Sequence, residues 1–374
     1  MTEKYQICRR CVMDTTDPEI QFDEKGVCNH CKNYDELSQK FVFKGKDAEE
    51  KLKKIITEIK TSGEKNEYNC IIGVSGGVDS SFVAYKVKEL GLRPLAVHLD
   101  NGWDSELAVK NIELLLRELD IDLYTHVIDW EEFKDLQLSF LRASTPDSEI
   151  PSDHAINALL HQIAEKNRIK YIVWGCNIKT ESHLPRAWSQ GHLDWKYIES
   201  VHKKFGHVPL KTFPHMDLIT YHYFLMKHKS INLLNHLDYS KKDAIKTLET
   251  ELDWRYYGGK HFESIYTRFY QGYILPRKFG YDKRKTHLSS LICSGEISRE
   301  TALEELKQDP YPQKLQDEDR MYVIKKFGLT EQEFEEIMNL PQKKYEDFPS
   351  YYPITKSRVY NYGIKLAHLL EILS

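Results

Sequence analysis

The sequence lacks any apolar run of ~18 residues, the length a helix needs to cross a bilayer. Its start, MTEKYQICRRC, lacks the apolar stretch of a secretory leader, so the expectation is a cytoplasmic protein with no membrane insertion. It also lacks an excess of either charge. The 53 Lys and Arg stand against 57 Asp and Glu, a formal −4, so no global positive field draws the chain to nucleic acid, although a local basic cleft stays open. Low-complexity tracts and internal repeats are missing, and 41% hydrophobic with 12% aromatic residues excludes large-scale disorder. Cysteine is scarce and odd in number, seven in 374 residues, which in a reducing compartment argues against a disulfide framework.

What is present is enough chain for two or three compact units. Residues 1–45 are read as a zinc-binding module, of which 1–35 are polar and turn-rich with little apolar material and carry four of the seven cysteines. Cys8 and Cys11 enclose two residues, Cys28 and Cys31 enclose two, and sixteen separate the pairs. Two tight turns of this kind offer four thiolates to one tetrahedral Zn2+, a closed structural site that supplies folding energy the apolar residues cannot. A redox dithiol, an iron–sulfur site and unbound thiols are the alternatives. His30, between Asn29 and Cys31, reads as a bystander. Of the other three cysteines, Cys70 begins a buried strand, Cys176 reads as a small filler near a site mouth, and Cys293 has no assigned role.

Residues 47–62 have helical spacing of Leu52, Ile55, Ile56 and Ile59. From Asn69 short apolar runs alternate with helical patterns. Strands are expected at 70–74, 95–99, 123–128 and 171–174, and helices at 80–90, 104–119, 131–141 and 152–167. This alternation predicts an α/β fold with a parallel, Rossmann-like sheet whose ligands bind at the carboxyl ends of the strands. Residues 46–182 are read as this ATP-binding domain, 183–282 as a substrate-side region with helices near 218–229 and 241–251, and 283–374 as a helical carboxyl-terminal region with its clearest helices at 298–306 and 330–338.

The strongest local signal is Ile71 to Ser81, IIGVSGGVDSS, an apolar strand running into a glycine pair and a helix. Gly76 and Gly77 let the backbone turn and bring N–H groups to an anion, Ser75, Ser80 and Ser81 add hydroxyl donors, and the helix start points its positive end at the same place. A carboxylate at Asp79 would repel phosphate unless a cation lay between, so Asp79 is read as a Mg2+ contact, with an ordinary helix cap as the alternative. No Lys follows the glycines, and the pattern is neither GxxxxGK[ST] nor GxGxxG.

Ser75 to Ser80, SGGVDS, resembles the pyrophosphate (PP) loop of the ATP pyrophosphatase superfamily, with its adenine nucleotide alpha hydrolase-like core. Members cleave ATP between the α and β phosphates and adenylate an oxygen of the substrate. The resemblance implies adenosine contacts at Asp100 and Asn101, for which a plain turn is the alternative, and nucleotide contacts at Gly175. Two successive positions that are acidic in tRNA-modifying members fall here on Lys179 and Thr180, so a metal role shifts to Glu181, whose alternative is a helix-start charge, and Lys179 becomes a candidate to neutralise phosphate.

Between Trp254 and Arg277, Gly258 and Gly259 precede Lys260 and His261, which suits a loop closing over pyrophosphate or a sugar acid, with Glu263, Arg268 and Tyr273 nearby. Residues 183–196 add His183, Arg186, His192 and two Trp. Aromatic faces with hydrogen-bonding partners suit a sugar; a solvated face with aromatic core residues is the bland alternative. Tyr5 to Cys31, Ser75 to Ser81 and Tyr256 to Lys285 together are similar to the N-acetyl sugar amidotransferases of bacterial surface-glycan biosynthesis. That resemblance implies ATP-dependent conversion of an acetamido group to an acetamidino group on a sugar or nucleotide-sugar, in lipopolysaccharide O-antigen or nonulosonic acid synthesis. ATP, Mg2+ and structural Zn2+ are the implied cofactors, Asp79, Lys179, Glu181, Lys260 and Arg268 the catalytic candidates, and Arg186 and His261 the substrate contacts. It also implies ammonia from a separate glutaminase subunit, with a cyclase-like barrel subunit between them. The rivals are a PP-loop tRNA thiolation enzyme, for which Cys70, Cys176 and Cys293 offer no CxxC pair, and a non-enzymatic zinc-ribbon interaction protein.

Overall fold

The computed structural model describes residues 5–259 and 261–369. In chain order the helices and strands are α1 (Asn29–Phe41), α2 (Gly45–Ser62), β1 (Cys70–Gly73), α3 (Val78–Glu89), β2 (Pro94–Asp100), α4 (Glu106–Glu118), β3 (Asp122–Val127), α5 (Trp130–Ala143), α6 (Ile150–Lys166), β4 (Tyr171–Trp174), α7 (Ile178–Glu181), α8 (Trp195–Phe205), α9 (Leu218–Lys227), β5 (Lys229–Asn232), α10 (Lys241–Leu252) and α11 (Ile265–Phe269). After a π-wound stretch at Tyr270–Phe279 follow α12 (Arg284–Ser294), α13 (Arg299–Glu305), α14 (Gln313–Phe327), α15 (Glu331–Asn339), α16 (Tyr352–Thr355) and α17 (Arg358–Leu369).

The five strands form one sheet in the order β3-β2-β1-β4-β5, every neighbouring pair parallel. The predicted α/β fold with a Rossmann-like parallel sheet and a helical carboxyl-terminal region is thus the observed one. Consecutive residues of a strand face opposite sides, and the burial follows. Ile71, Leu95 and Ile172 join Phe133, Phe140, Leu159 and Leu160 of α5 and α6 on one face. Ile72, Ala96 and Val173 join Val83, Val87, Ile112 and Leu115 of α3 and α4 on the other. Both faces of the central strands are covered, as a parallel sheet requires.

One strand went unread. The expected helix near 218–229 ends at Lys227, and Lys229–Asn232 (KSIN) pairs with β4, so the sheet continues past residue 182. Four residues with every second one exposed carry too little apolar signal to read as a strand. Several helix limits do follow local chemistry: Ser105 accepts from Ala108 N–H at the start of α4, and Thr330 with Glu333 forms a capping box on α15. Among the described residues no helix is long and apolar enough to cross a membrane.

Candidate active site at the phosphate loop

Strand order reverses at β1, whose neighbours β2 and β4 are reached by connections leaving in opposite directions. The crevice outside the carboxyl ends of β1 and β4 is therefore the topological switch point, the usual ligand position in such sheets. The glycine loop after β1 lies there, and its conformation explains its residues. Gly76 has φ +75°, and a Cβ on it would stand 2.6 Å from the Ala108 carbonyl oxygen of α4, so the position is closed to a side chain. Gly175, following β4, lies so near the start of α3 that a Cβ there would meet the Asp79 carbonyl carbon and the Ser80 nitrogen at 3.2 Å. The end of β4 thus presses against the first turn of α3, a 12-residue helix that begins directly after the glycine pair and whose N-terminus favours an anion.

Hydroxyl oxygens hold this loop. Ser75 N–H donates to Ser80 Oγ at 3.3 Å, Gly77 N–H to Ser75 Oγ at 3.3 Å, and Val78 N–H to the Tyr257 hydroxyl at 3.0 Å. Phosphate oxygens can take the same donors. Ser81 Oγ is buried without a hydrogen-bond partner, which fits a ligand oxygen at the helix start. The residues present therefore fit the phosphates of ATP.

Trp254, Tyr257 and Glu263 cover the loop. Trp254 Nε1 donates to the Gly76 carbonyl at 3.3 Å, and Glu263 Oε1 stands 3.2 Å from where a Cβ on Gly77 would be. Burial works against ionisation of Glu263, but the contact with His261 Nδ1 at 3.5 Å outweighs it and holds the carboxyl below its usual range. Its second oxygen is buried and unpartnered. Asp79, on the first turn of α3, accepts a short hydrogen bond from the Tyr239 hydroxyl. Burial first, then the charges of Glu263 and Asp79, raise the Tyr257 phenol far above its ordinary value, so both carboxylates act on this one hydroxyl. A buried carboxylate oxygen with no donor, beside a second carboxylate and an anion-binding loop, fits a divalent cation such as Mg2+.

The other sequence candidates distribute themselves around this centre. Lys179, on α7, donates to the Tyr239 carbonyl at 2.8 Å and lies 3.6 Å from Asp238, so it braces the segment that holds Asp79. Glu181 is on the same short helix. Asp100 Oδ1 accepts from Gly102 N–H and Asn101 Oδ1 from Trp103 N–H, forming the turn after β2, and Asn101 Nδ2 reaches Ser152 on α6 at 3.3 Å. His261 sits at the loop with φ +63°. Lys260 lies outside the described residues. Arg268 is not at the loop: its guanidinium makes a bidentate pair with buried Asp319 at 2.7 and 2.8 Å. Arg186 is elsewhere as well, stacked 4.3 Å over Tyr352 and bonded to Gln190.

Arg186 lines a cavity of about 630 Å3, shared with Trp188, Tyr281, Lys344, Tyr345 and Glu346. At its edge the 144–150 loop presents Asp147, fully buried, which accepts a short hydrogen bond from Ser189 and lies 3.8 Å from Lys283 Nζ and 3.7 Å from His192 Nε2. Burial opposes the charge of His192, but Asp147 and Asp153 outweigh it and raise its pKa. Because α6 leads back to the start of β4 and Ser152 in its first turn meets Asn101 after β2, this loop ends on the carboxyl side of the sheet, as the phosphate loop does. Sequence reasoning missed Asp147, Tyr239 and Tyr257, and it named Glu263 without a role. The position of 144–150 ahead of a helix returning to a strand was the one available signal for Asp147.

At the amino terminus, Cys8, Cys11, Cys28 and Cys31 are all buried, with all four sulfurs within 4.8 Å of one another. Sγ pairs stand at 3.9 Å (Cys8 and Cys31), 3.6 Å (Cys11 and Cys28) and 3.7 Å (Cys28 and Cys31). Sulfurs ~2.3 Å from a tetrahedral Zn2+ stand ~3.8 Å apart, so the residues fit that ion. Backbone N–H groups of Cys11 and Cys28 point at Cys8 Sγ, the environment a thiolate needs. His30 is turned away to Asp17 at 2.7 Å.

Comparison with known proteins adds three findings. The family described as LPS biosynthesis protein WbpG-like, C-terminal domain, matches residues 263–361, a stretch that opens at Glu263 and takes in Arg268, Lys283 and Cys293. An uncharacterized protein of Methanocaldococcus jannaschii is 24% identical over 330 residues, spanning 85% of this chain and 99% of its own. Solved structures with partial similarity include an NMN synthetase of Francisella tularensis (20% identity, 35% of this chain and 56% of that one, TM-score 0.28). An NH3-dependent NAD synthetase of Campylobacter jejuni is a second (15% identity, 54% and 84%, TM-score 0.29).

Proposed function

We propose that this protein is an ATP-dependent amidotransferase of lipopolysaccharide or related surface-glycan synthesis, converting an acetamido group of a sugar or nucleotide-sugar to an acetamidino group. The observation that carries the reading is the SGGVDS loop at the switch point, with Gly76 closed to a side chain by the Ala108 backbone and Gly175 lying tightly against the start of α3. The match of residues 263–361 to an LPS-biosynthesis family supports the pathway class.

The chemistry follows from the substrate. Ammonia cannot displace the oxygen of an unactivated amide, so that oxygen must first become a leaving group. ATP held at Ser75 to Ser81 supplies it: the amide oxygen attacks the α phosphorus, pyrophosphate departs, and ammonia then adds to the imidate carbon and expels AMP. Ser75, Ser80 and Ser81 with the α3 N-terminus retain the leaving pyrophosphate. Asp79 and Glu263 would hold Mg2+, which neutralises charge accumulating on the phosphates. Tyr239 orients Asp79, and Lys179 braces Tyr239. The cavity edged by Asp147 takes the sugar, the partly exposed Tyr281, backed by buried Trp188, offering aromatic surface and Arg186 a cation for its anionic part. The ammonia comes from a separate glutaminase through a barrel partner.

Incubating the chain with ATP, Mg2+, ammonium and candidate diacetamido sugars tests this. Product one dalton lighter than substrate, together with AMP, is the expected result. AMP with tRNA but with no sugar would move the assignment to the thiolation rival, and failure to bind ATP with Mg2+ would move it to a non-enzymatic role.

A further inference from the structure

Beside the four-thiolate cluster the fold assembles a second set of soft ligands from distant parts of the chain. Cys293, on α12, places Sγ 3.7 Å from Cys31 Sγ, and His183, just after α7, places Nε2 3.6 Å from Cys293 Sγ. The three ligand atoms all lie within 4.8 Å of one another. On a tetrahedral ion with Zn–S ~2.3 Å and Zn–N ~2.0–2.1 Å, two sulfurs stand ~3.8 Å apart and a sulfur and a nitrogen ~3.6 Å. The observed spacings match both values.

His183 Nδ1 has two hydroxyl neighbours, Ser290 Oγ at 3.0 Å and Ser182 Oγ at 3.2 Å. Ser290 Oγ donates its own hydrogen to the Thr286 carbonyl at 3.1 Å and accepts from Ser182 N–H at 3.2 Å, so a lone pair remains to accept from Nδ1. In the tautomer with its proton on Nδ1, Nε2 presents its lone pair toward Cys293. An imidazole with one nitrogen fixed by a hydrogen bond and the other aimed at thiols is the arrangement of a metal ligand. His183 and Cys31 are fully buried, while Cys293 is half-buried and leaves one side for a water molecule.

We propose that Cys31, Cys293 and His183 form a second divalent metal site, with Zn2+ favoured by its two sulfurs and one nitrogen. Cys31 is shared as a bridging thiolate with the ion held by Cys8, Cys11, Cys28 and Cys31, the reading on which this second site rests. Cys293 gives up its proton to solvent on binding, and water completes the coordination. The bridge joins the amino-terminal module, the end of α7 and α12. Because α7 carries Lys179 and Glu181, the second ion also anchors one wall of the candidate active site.

Zinc is counted by elemental mass spectrometry on the full chain, purified reduced and freed of loose metal by gel filtration. Two ions per chain are expected, falling to one in Cys293→Ser and in His183→Ala with an unchanged circular dichroism spectrum. A wild-type chain holding one ion overturns the second site and leaves the first standing; none overturns both, and two ions retained in Cys293→Ser also overturns the second. The cadmium-loaded wild-type chain provides a check that needs no variant. Two cadmium NMR resonances coupled through the shared sulfur are expected, and a single resonance contradicts the proposal.

Discussion

In the sheet the inward-facing atoms belong to Ile72, Ala96, Val173 and their neighbours, hydrocarbon packed against hydrocarbon on both faces. In residues 5–41 the interior is Cys8, Cys11, Cys28 and Cys31 with Met13 against Trp188, and little hydrocarbon stands behind it. One region is held by area removed from water; the other has four thiols placed where an ion would supply the energy that hydrocarbon does not. The difference teaches that the two regions answer to different perturbations; the cysteine region is tied instead to the helical carboxyl-terminal part, where Arg299 of α13 donates to the carbonyls of Cys8 and Cys11.

The largest effect should come from breaking the first ion's site. Cys11→Ser, or stripping with a strong chelator, removes a binding free energy on the order of 10–16 kcal/mol for such sites. Limited proteolysis should then cut within residues 5–41 while the sheet stays resistant. Simultaneous loss of both regions would mean they fold as one unit.

Next in size is Arg268→Gln. It orphans Asp319, and leaving one partner of a buried ion pair uncompensated costs about 3–5 kcal/mol. Denaturant melts should show the loss in the core with zinc content unchanged. A fall in catalytic rate without loss of stability would return Arg268 to the reacting groups.

Gly76→Ala is expected to lower AMP formation roughly 100-fold, since it forces a side chain into positive φ and into the Ala108 backbone, strain on the order of 1–3 kcal/mol. Zinc content should not move. Wild-type activity in this variant would show that the loop is not the phosphate cradle.

An effect of similar size depends on pH. His154, buried in α6, donates from Nδ1 to the His192 carbonyl and accepts Met216 N–H at Nε2, so the folded state holds it neutral. Burial lowers its pKa to about 4 from an ordinary 6.5. The unfolded chain therefore takes up a proton first, and the stability His154 contributes above pH 6.5 is lost as pH falls toward 4, by up to about 3 kcal/mol. Urea melts between these pH values should show a slope that flattens in His154→Gln, and an unchanged slope would remove His154 as its source.

These contrasts also explain what could be read without coordinates. The CxxC pairs and SGGVDS are legible because their chemistry is local: ligand spacing and a turn are set within a few residues. The central strands are legible because burial on both faces leaves unbroken apolar runs. Lys229–Asn232 is not, since a short half-exposed edge strand is recognised only by its partner β4. Tyr239 on Asp79, Tyr257 on Val78 N–H and Arg268 on Asp319 are contacts across 160, 179 and 51 positions, which no local pattern encodes. Arg268 looked catalytic because a basic residue near a glycine pair has the right chemistry, and only the fold shows its buried carboxylate partner.

The central claim, that the loop activates an amide oxygen of the sugar, is tested most directly by following that oxygen. A diacetamido sugar carrying heavy oxygen in its acetamido carbonyls is supplied with ATP, Mg2+ and ammonium, and the AMP released is weighed. The account predicts AMP bearing one heavy oxygen, in step with amidine formation. Unlabelled AMP, or ADP in its place, would contradict it.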